Sequence, residues 1–316
     1  MNRALTRLIL TVVIASACAG GTPDESRTAE NSAEPTPEAT SLLGEPLYPV
    51  ELDSATRARL ERNLEEARAA YAAAPGDADA IIWLGRRLAY LGRYREAIQT
   101  FSEGIEKHPE DARLYRHRGH RWITVREFDR AIADLERAAE LVRGKPDEIE
   151  PDGAPNRFNV PRTTLHFNIF YHLGLARYLK GDFEGALEAY RACMDVATND
   201  DMIVAVADWM YMTLRRLGRD EEAAEVLRRV YPDMEIMEND AYHRRLLMYK
   251  GLVPPDALLA DEGDPLQLAT QGYGVGNWYL YNGDATRARE VFERVLAIGN
   301  WPAFGHIAAE AELSRM

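Results

Sequence analysis

Cysteine is nearly missing from this chain: Cys18 and Cys193 are its only two in 316 residues. Cys18 stands at the end of a targeting pattern, so Cys193 has no folded partner and no disulfide framework follows. Positive charge is also short. The 38 Lys and Arg are outnumbered by 51 Asp and Glu, which leaves a formal net charge of −13. That balance argues against nucleic acid, whose phosphates require a cationic face, and suits a soluble surface that repels its own copies. Catalytic signatures are missing too. Neither G-x-S-x-G nor H-E-x-x-H occurs, so the chain is expected to be non-catalytic, with no catalytic residues and no cofactor.

The start of the chain has a basic opening followed by the apolar run Leu8–Ala17 and small residues. That run is too short to cross a bilayer and reads as a signal peptide over residues 1–17. Ala15-Ser16-Ala17-Cys18 resembles the lipobox of bacterial lipoproteins, with Ala15 where the family usually has Leu. The resemblance implies lipid attachment at Cys18 and a place in the bacterial cell envelope. Ala19 resembles the sorting preference for the outer membrane. Ordinary secretion is the alternative, since Ala15-Ser16-Ala17 also satisfies the A-x-A cleavage rule. Residues 18–53 are rich in Gly, Ser, Thr, Pro and Glu, and are expected to form a disordered tether.

Beyond the tether one motif keeps returning. "GRYREAIQTF" at Gly92 recurs as "REFDRAIADL" at Arg126, "GDFEGALEAY" at Gly181, "GRDEEAAEVL" at Gly218 and "GDATRAREVF" at Gly283. Each copy keeps alanine at its sixth position (Ala97, Ala131, Ala186, Ala223, Ala288) and a large apolar residue four later (Phe101, Leu135, Tyr190, Leu227, Phe292). Leu84-Gly85 precede the first copy, Pro109 follows it, and Gly85 to Gly119 spans 34 residues. This pattern resembles the tetratricopeptide repeat over residues 54–316. Apolar residues at three- and four-residue steps make each unit a helix pair, and a lone pair cannot bury its stripe. The expected fold is therefore all-α: helix pairs stacked into a right-handed superhelix.

Spacing places the units at about 78–111, 112–143, 167–200 and 204–237, a degenerate unit at 238–268, and a last one at 269–302. Residues 144–164 form an insertion loop with four prolines, few of whose residues are expected to reach a core. Residues 303–316 are expected to be a terminal capping helix.

Several local patterns invite chemistry. "GYGVGNWY" (Gly272–Tyr279) follows no strand and lacks G-x-G-x-x-G spacing, so close helix packing is the better reading than nucleotide binding. His117 and His120 have a metal-compatible spacing, but Arg113, Arg116, Arg118 and Arg121 surround them, which favours an anion or carboxylate. His172 occupies the repeat position equivalent to His117, and a hydrogen-bonded packing role is expected of it. "EIEPDG" (Glu148–Gly153) resembles half a calcium loop, yet Asn159 stands where a bidentate Glu belongs, so a solvated acidic loop is preferred. No metal site is expected.

In tetratricopeptide proteins the first helices line a concave face. Carrying those unit positions over gives Arg86, Tyr90, Arg116, His120, Asn168, Tyr171, Tyr178, Asp208, Arg215, Arg216, Tyr273, Asn277 and Tyr281 as a candidate groove. The set has no Lys or Glu and is dominated by residue types enriched in binding hot spots. The expected function is a non-catalytic scaffold that captures a peptide or protein, one with a carboxylate-bearing segment. A small-molecule or glycan binder stacking sugars on the tyrosines is the alternative, and an unfamiliar hydrolase a more distant one.

Overall fold

The computed structural model describes residues 36–260 and 265–316. The expected signal peptide and Cys18 lie outside the described residues.

Among these there are fourteen helices and one hairpin of two-residue strands. The hairpin pairs β1 (Ala39–Thr40) antiparallel with β2 (Pro46–Leu47). Helix α1 (Ser54–Ala73) precedes four regular pairs: α2 (Ala78–Tyr90) with α3 (Tyr94–Lys107), α4 (Ala112–Thr124) with α5 (Phe128–Val142), α6 (Leu165–Lys180) with α7 (Phe183–Asp195), and α8 (Asp200–Arg216) with α9 (Asp220–Leu227). A shorter pair follows, α10 (Asp240–Tyr249) and α11 (Pro255–Leu259), then α12 (Pro265–Tyr281) with α13 (Ala285–Ala297), and last α14 (Phe304–Arg315). Each regular pair packs on the next, giving an all-α solenoid.

The recurring motif is the joint of each pair. All five of its alanines are fully buried, as are Phe101, Leu135, Tyr190 and Phe292. Those large side chains lie on a glycine of the preceding helix. A methyl added at Gly119 would fall 2.8 Å from Leu135, and one at Gly174 or Gly276 would fall 2.5 Å from the rings of Tyr190 or Phe292. The "GYGVG" glycines of α12 follow the same logic: Gly272 faces Val295, Gly274 the Arg245 guanidinium and Gly276 Phe292.

Between the two helices of a pair the chain must turn left-handed. Gly92, Gly181, Gly218 and Gly283 do so with φ between 70° and 91°. The residue after each turn returns a hydrogen bond to the helix, as Arg93 N–H does to Leu88 O at 3.1 Å. In the second pair the turn residue is Arg126, at φ 68°. A side chain there carries strain that glycine avoids, and the site below shows what offsets it.

Two expectations need correction. Residues 36–53, assigned above to a disordered tether, are ordered. Arg95 N–H donates to Glu38 at 2.9 Å, Trp301 Nε1 donates to Tyr48 O at 2.6 Å, and Ala39 is buried. The segment has enough apolar residues (Ala39, Leu42, Leu47) to pack on the solenoid. Helix α14 is no end cap. It packs against α12, α13 and α6, and its residues Gly305 to Glu312 are all buried. Alanine at 308, 309 and 311 lets it lie between helices on every side, where a capping helix would keep one polar face in water.

Candidate binding surface

Arg86 and Arg87 project from the last turns of α2, and Arg116, His117, His120 and Arg121 from α4. The insertion loop crosses in front of them. Arg86 Nη2 donates to Pro151 O and Arg87 Nη1 to Gly153 O, both at 2.8 Å. Arg116 Nε lies 2.9 Å from Glu150 Oε2, with both side chains at or below 10% exposure. Gly153 sits so close to the Tyr90 hydroxyl that no Cβ would fit. The loop is anchored at its far end by Arg162 to Asp201 at 2.9 Å. Asp201 in turn accepts the backbone N–H groups of Met237, Glu238 and Asn239. Part of the loop therefore does reach the interior, against expectation, because its backbone carbonyls and Glu150 find guanidinium partners. Its apolar residues Ile149, Phe158 and Val160 face solvent.

Behind Glu150 is a cavity of about 110 Å³ lined by Arg86, Tyr90, Arg116, His117, His120, Arg121 and Phe101. Four groove candidates, Arg86, Tyr90, Arg116 and His120, are thus brought together. His120 lies 4.4 Å from His172 and 5.3 Å from Phe304 of α14, ring centre to ring centre. Burial first, then the neighbouring Arg116 and Arg121 charges, hold His117, His120 and His172 well below the usual histidine range, so all three are neutral. His172 also meets Asn168 O through Nδ1 at 2.5 Å. Burial pulls the Arg121 guanidinium down to about 10, with Arg116 and Arg86 adding to the effect.

Most of the other candidates do not line an open groove, because the chain's own later helices cover them, while Arg215, Arg216 and Tyr281 stay partly exposed. Tyr171 OH accepts from Trp209 Nε1 at 2.8 Å and meets Tyr242 OH at 2.9 Å. Tyr178 OH accepts from Tyr273 OH at 2.7 Å and Asn277 Nδ2 at 3.0 Å, and all three residues are fully buried. Asn168 is buried too, donating to Thr163. Asp208 pairs with Arg245 at 2.8 Å with neither side chain exposed. Burial pushes the Asp208 carboxyl up to about 7 against the pull of Arg245. Arg215 pairs with Asp220 and lies over Tyr281, while Arg216 donates to Glu312 of α14 at 2.6 Å. Asn168, Tyr171, Tyr178, Asp208, Tyr273 and Asn277 are here the polar interior of a solenoid closed on itself.

The closure has its own lock. Arg126 pairs with Glu310 of α14, both buried, donates to Trp301 O at 3.0 Å and lies over the Trp301 ring. Glu310 also accepts from Leu42 N–H and faces His306 at 3.2 Å. Those contacts hold the side chain whose backbone is strained. Arg87, Arg126 and Glu310 were not among the sequence candidates, whereas Arg121 was named for an anion beside His117 and His120, and Glu150 only within the "EIEPDG" loop. Arg126 had a visible signal, arginine where the other four motif copies begin with glycine.

Tetratricopeptide-repeat family models match residues 84–148 and 167–200. The chain carries tetratricopeptide repeats. It is similar to BBSome complex member BBS4 of Bos taurus, 23% identical over 160 residues, covering 49% of this chain and 27% of that one. It is also similar to small glutamine-rich tetratricopeptide repeat-containing protein 2 of Saccharomyces cerevisiae, 29% identical over 103 residues, covering 33% and 24%. The chain spans about a quarter of the length of these curated relatives. Among solved structures, a tetratricopeptide repeat protein from Parabacteroides merdae superposes with a TM-score of 0.49 at 14% identity, over 82% of this chain and 95% of that one.

Proposed function

We propose that this repeat protein is a non-catalytic scaffold that binds an extended acidic segment of another protein across its first two repeats. The reading rests on one observation. Arg86, Arg87 and Arg116 already hold such a segment, Glu150 to Gly153 of the chain's own loop, by two backbone carbonyls and one carboxylate. Guanidinium groups bind carboxylates through charge-assisted bonds about twice as strong as neutral ones, and backbone carbonyls supply affinity that does not depend on side chains. The partner's carboxylate takes the position of Glu150. The glycan alternative loses its platform, since Tyr171, Tyr178 and Tyr273 are internal.

The scaffold works at the bacterial outer membrane, held by lipid on Cys18. Cys18→Ser should abolish labelling by a radioactive fatty acid, and equal labelling of both forms would sink the anchor.

The binding reading is tested with Lys145–Arg162 replaced by a short Gly/Ser link and a fluorescent peptide of residues 147–154 as probe. Saturable binding is expected, weakened about tenfold by Arg116→Ala, or about 1.4 kcal/mol. No binding by the loop-replaced protein at millimolar peptide would overturn the proposal.

A further inference from the structure

Arg121 is the unusual member of the cavity behind Glu150. Arg116 has Glu150, and Arg86 has Pro151 O, with the Asp152 carboxyl nearby. Arg121 instead lies 5.8 Å from the centre of the Tyr94 ring, and the guanidiniums of Arg116 and Arg86 line the same cavity. Three guanidinium groups thus line one small cavity with a single carboxylate. The histidines there carry no charge to alter that count. Like charges held together in a partly buried cavity repel one another, so the surplus calls for an anion.

From this geometry we infer that the cavity is a binding site for a small tetrahedral dianion, phosphate or sulfate. About 110 Å³ has room for such an ion or several waters, and not for a peptide side chain together with its backbone. Three guanidiniums line the cavity against Glu150, with Asp152 beside Arg86, so positive charge is left over for an anion. The planar forks of Arg121 and Arg116 suit oxygen pairs, and the Tyr90 hydroxyl and His120 supply neutral hydrogen-bonding groups at the wall. The ion would bridge α2 and α4 from inside, beneath the loop. This site shares Arg86 and Arg116 with the peptide reading but depends on Arg121, which the loop does not touch.

The test uses the whole chain with its loop in place, at pH 7.5 and constant ionic strength set with sodium chloride. Inorganic phosphate and sulfate are titrated by calorimetry and by thermal melting. Submillimolar binding and a melting temperature that rises with anion concentration are expected. Arg121→Met should weaken binding at least tenfold while melting, without phosphate, at or above the parent temperature, since it removes an uncompensated charge. Arg121→Lys keeps the charge without the fork and should retain weakened binding, which covers the case of a poorly folded Met variant. Absent binding at 10 mM anion, or equal binding by parent and both variants, would overturn the inference. Because the peptide test uses loop-replaced protein and another probe, either proposal can fail alone.

Discussion

The two halves of the solenoid bury the inner face of the same repeat by opposite means. In front of α2 and α4 the cover is a loop, held through guanidinium groups to carbonyls and one carboxylate, with its apolar residues Ile149, Phe158 and Val160 turned outward. In front of α6 and α8 the cover is helical: α10, α12 and α14 bring Tyr242, Arg245, Tyr273 and Phe304 against Tyr171, Asp208, Trp209, Tyr178 and His172. The first cover exchanges polar contacts that water or a partner can replace. The second buries large apolar surface that has no aqueous substitute. A shared repeat motif thus fixes how helices pair and leaves open what fills the concave face.

The largest expected effect lies at the helical cover. Glu310→Ala should destabilise the protein by about 3–5 kcal/mol, because it leaves Arg126 buried without its carboxylate. Urea unfolding measures this, and a loss below about 1 kcal/mol would mean the closure is not held there. Next comes pH. The buried neutral His117 and His172 stay unprotonated when folded, whereas the unfolded chain takes up protons below pH 6.5. Stability should therefore fall as pH drops from 6.5 to 5, by up to about 1.4 kcal/mol per unit for each histidine. Asp208 acts in the other direction. Its folded pKa of about 7 exceeds the unfolded 3.8, so its contribution declines as pH rises through that window. Replacing both histidines by Phe should flatten the acid limb of a urea-midpoint profile, and an unchanged slope would refute their neutral burial. The smallest effect belongs to the loop. Exchanging Lys145–Arg162 for a Gly/Ser link should cost only about 1–2 kcal/mol, since Arg116 gains solvent as it loses Glu150, and Asp201, on losing Arg162, keeps its three backbone N–H donors. A melting temperature lowered by more than about 10 °C would erase the contrast between the two covers.

Helix pairing was legible because its determinants are local. In four of the five motif copies the alanine, the large apolar residue and the glycine beneath them meet within one repeat of about 34 residues. The inner face was not legible, because a tyrosine at a first-helix position reads the same whether solvent or another helix lies before it. Tyr178 is covered by residues 95 and 99 positions away. Two signals were nevertheless present. "GHIAAEA" in α14 has small residues on all sides, which suits a helix wedged between others better than one with a wet face. Arg126 breaks the glycine rule of the turns, and a strained side chain persists only where tertiary contacts hold it. Only four of the 38 basic residues are lysine, namely Lys107, Lys145, Lys180 and Lys250. The internal ion pairs Arg116–Glu150, Arg126–Glu310 and Arg245–Asp208 accordingly all use the planar arginine fork, which suits buried pairing.

The Arg126–Glu310 bond, joining positions 184 residues apart, bears on modularity. In an open stack each unit meets only its neighbours, so units can be duplicated or deleted and the array simply lengthens or shortens. Here the end of the chain must come back to the second repeat. Adding or removing one helix pair between them would displace α14 from the turn it locks. Evolution and engineering can therefore change the loop of this protein far more freely than its number of repeats.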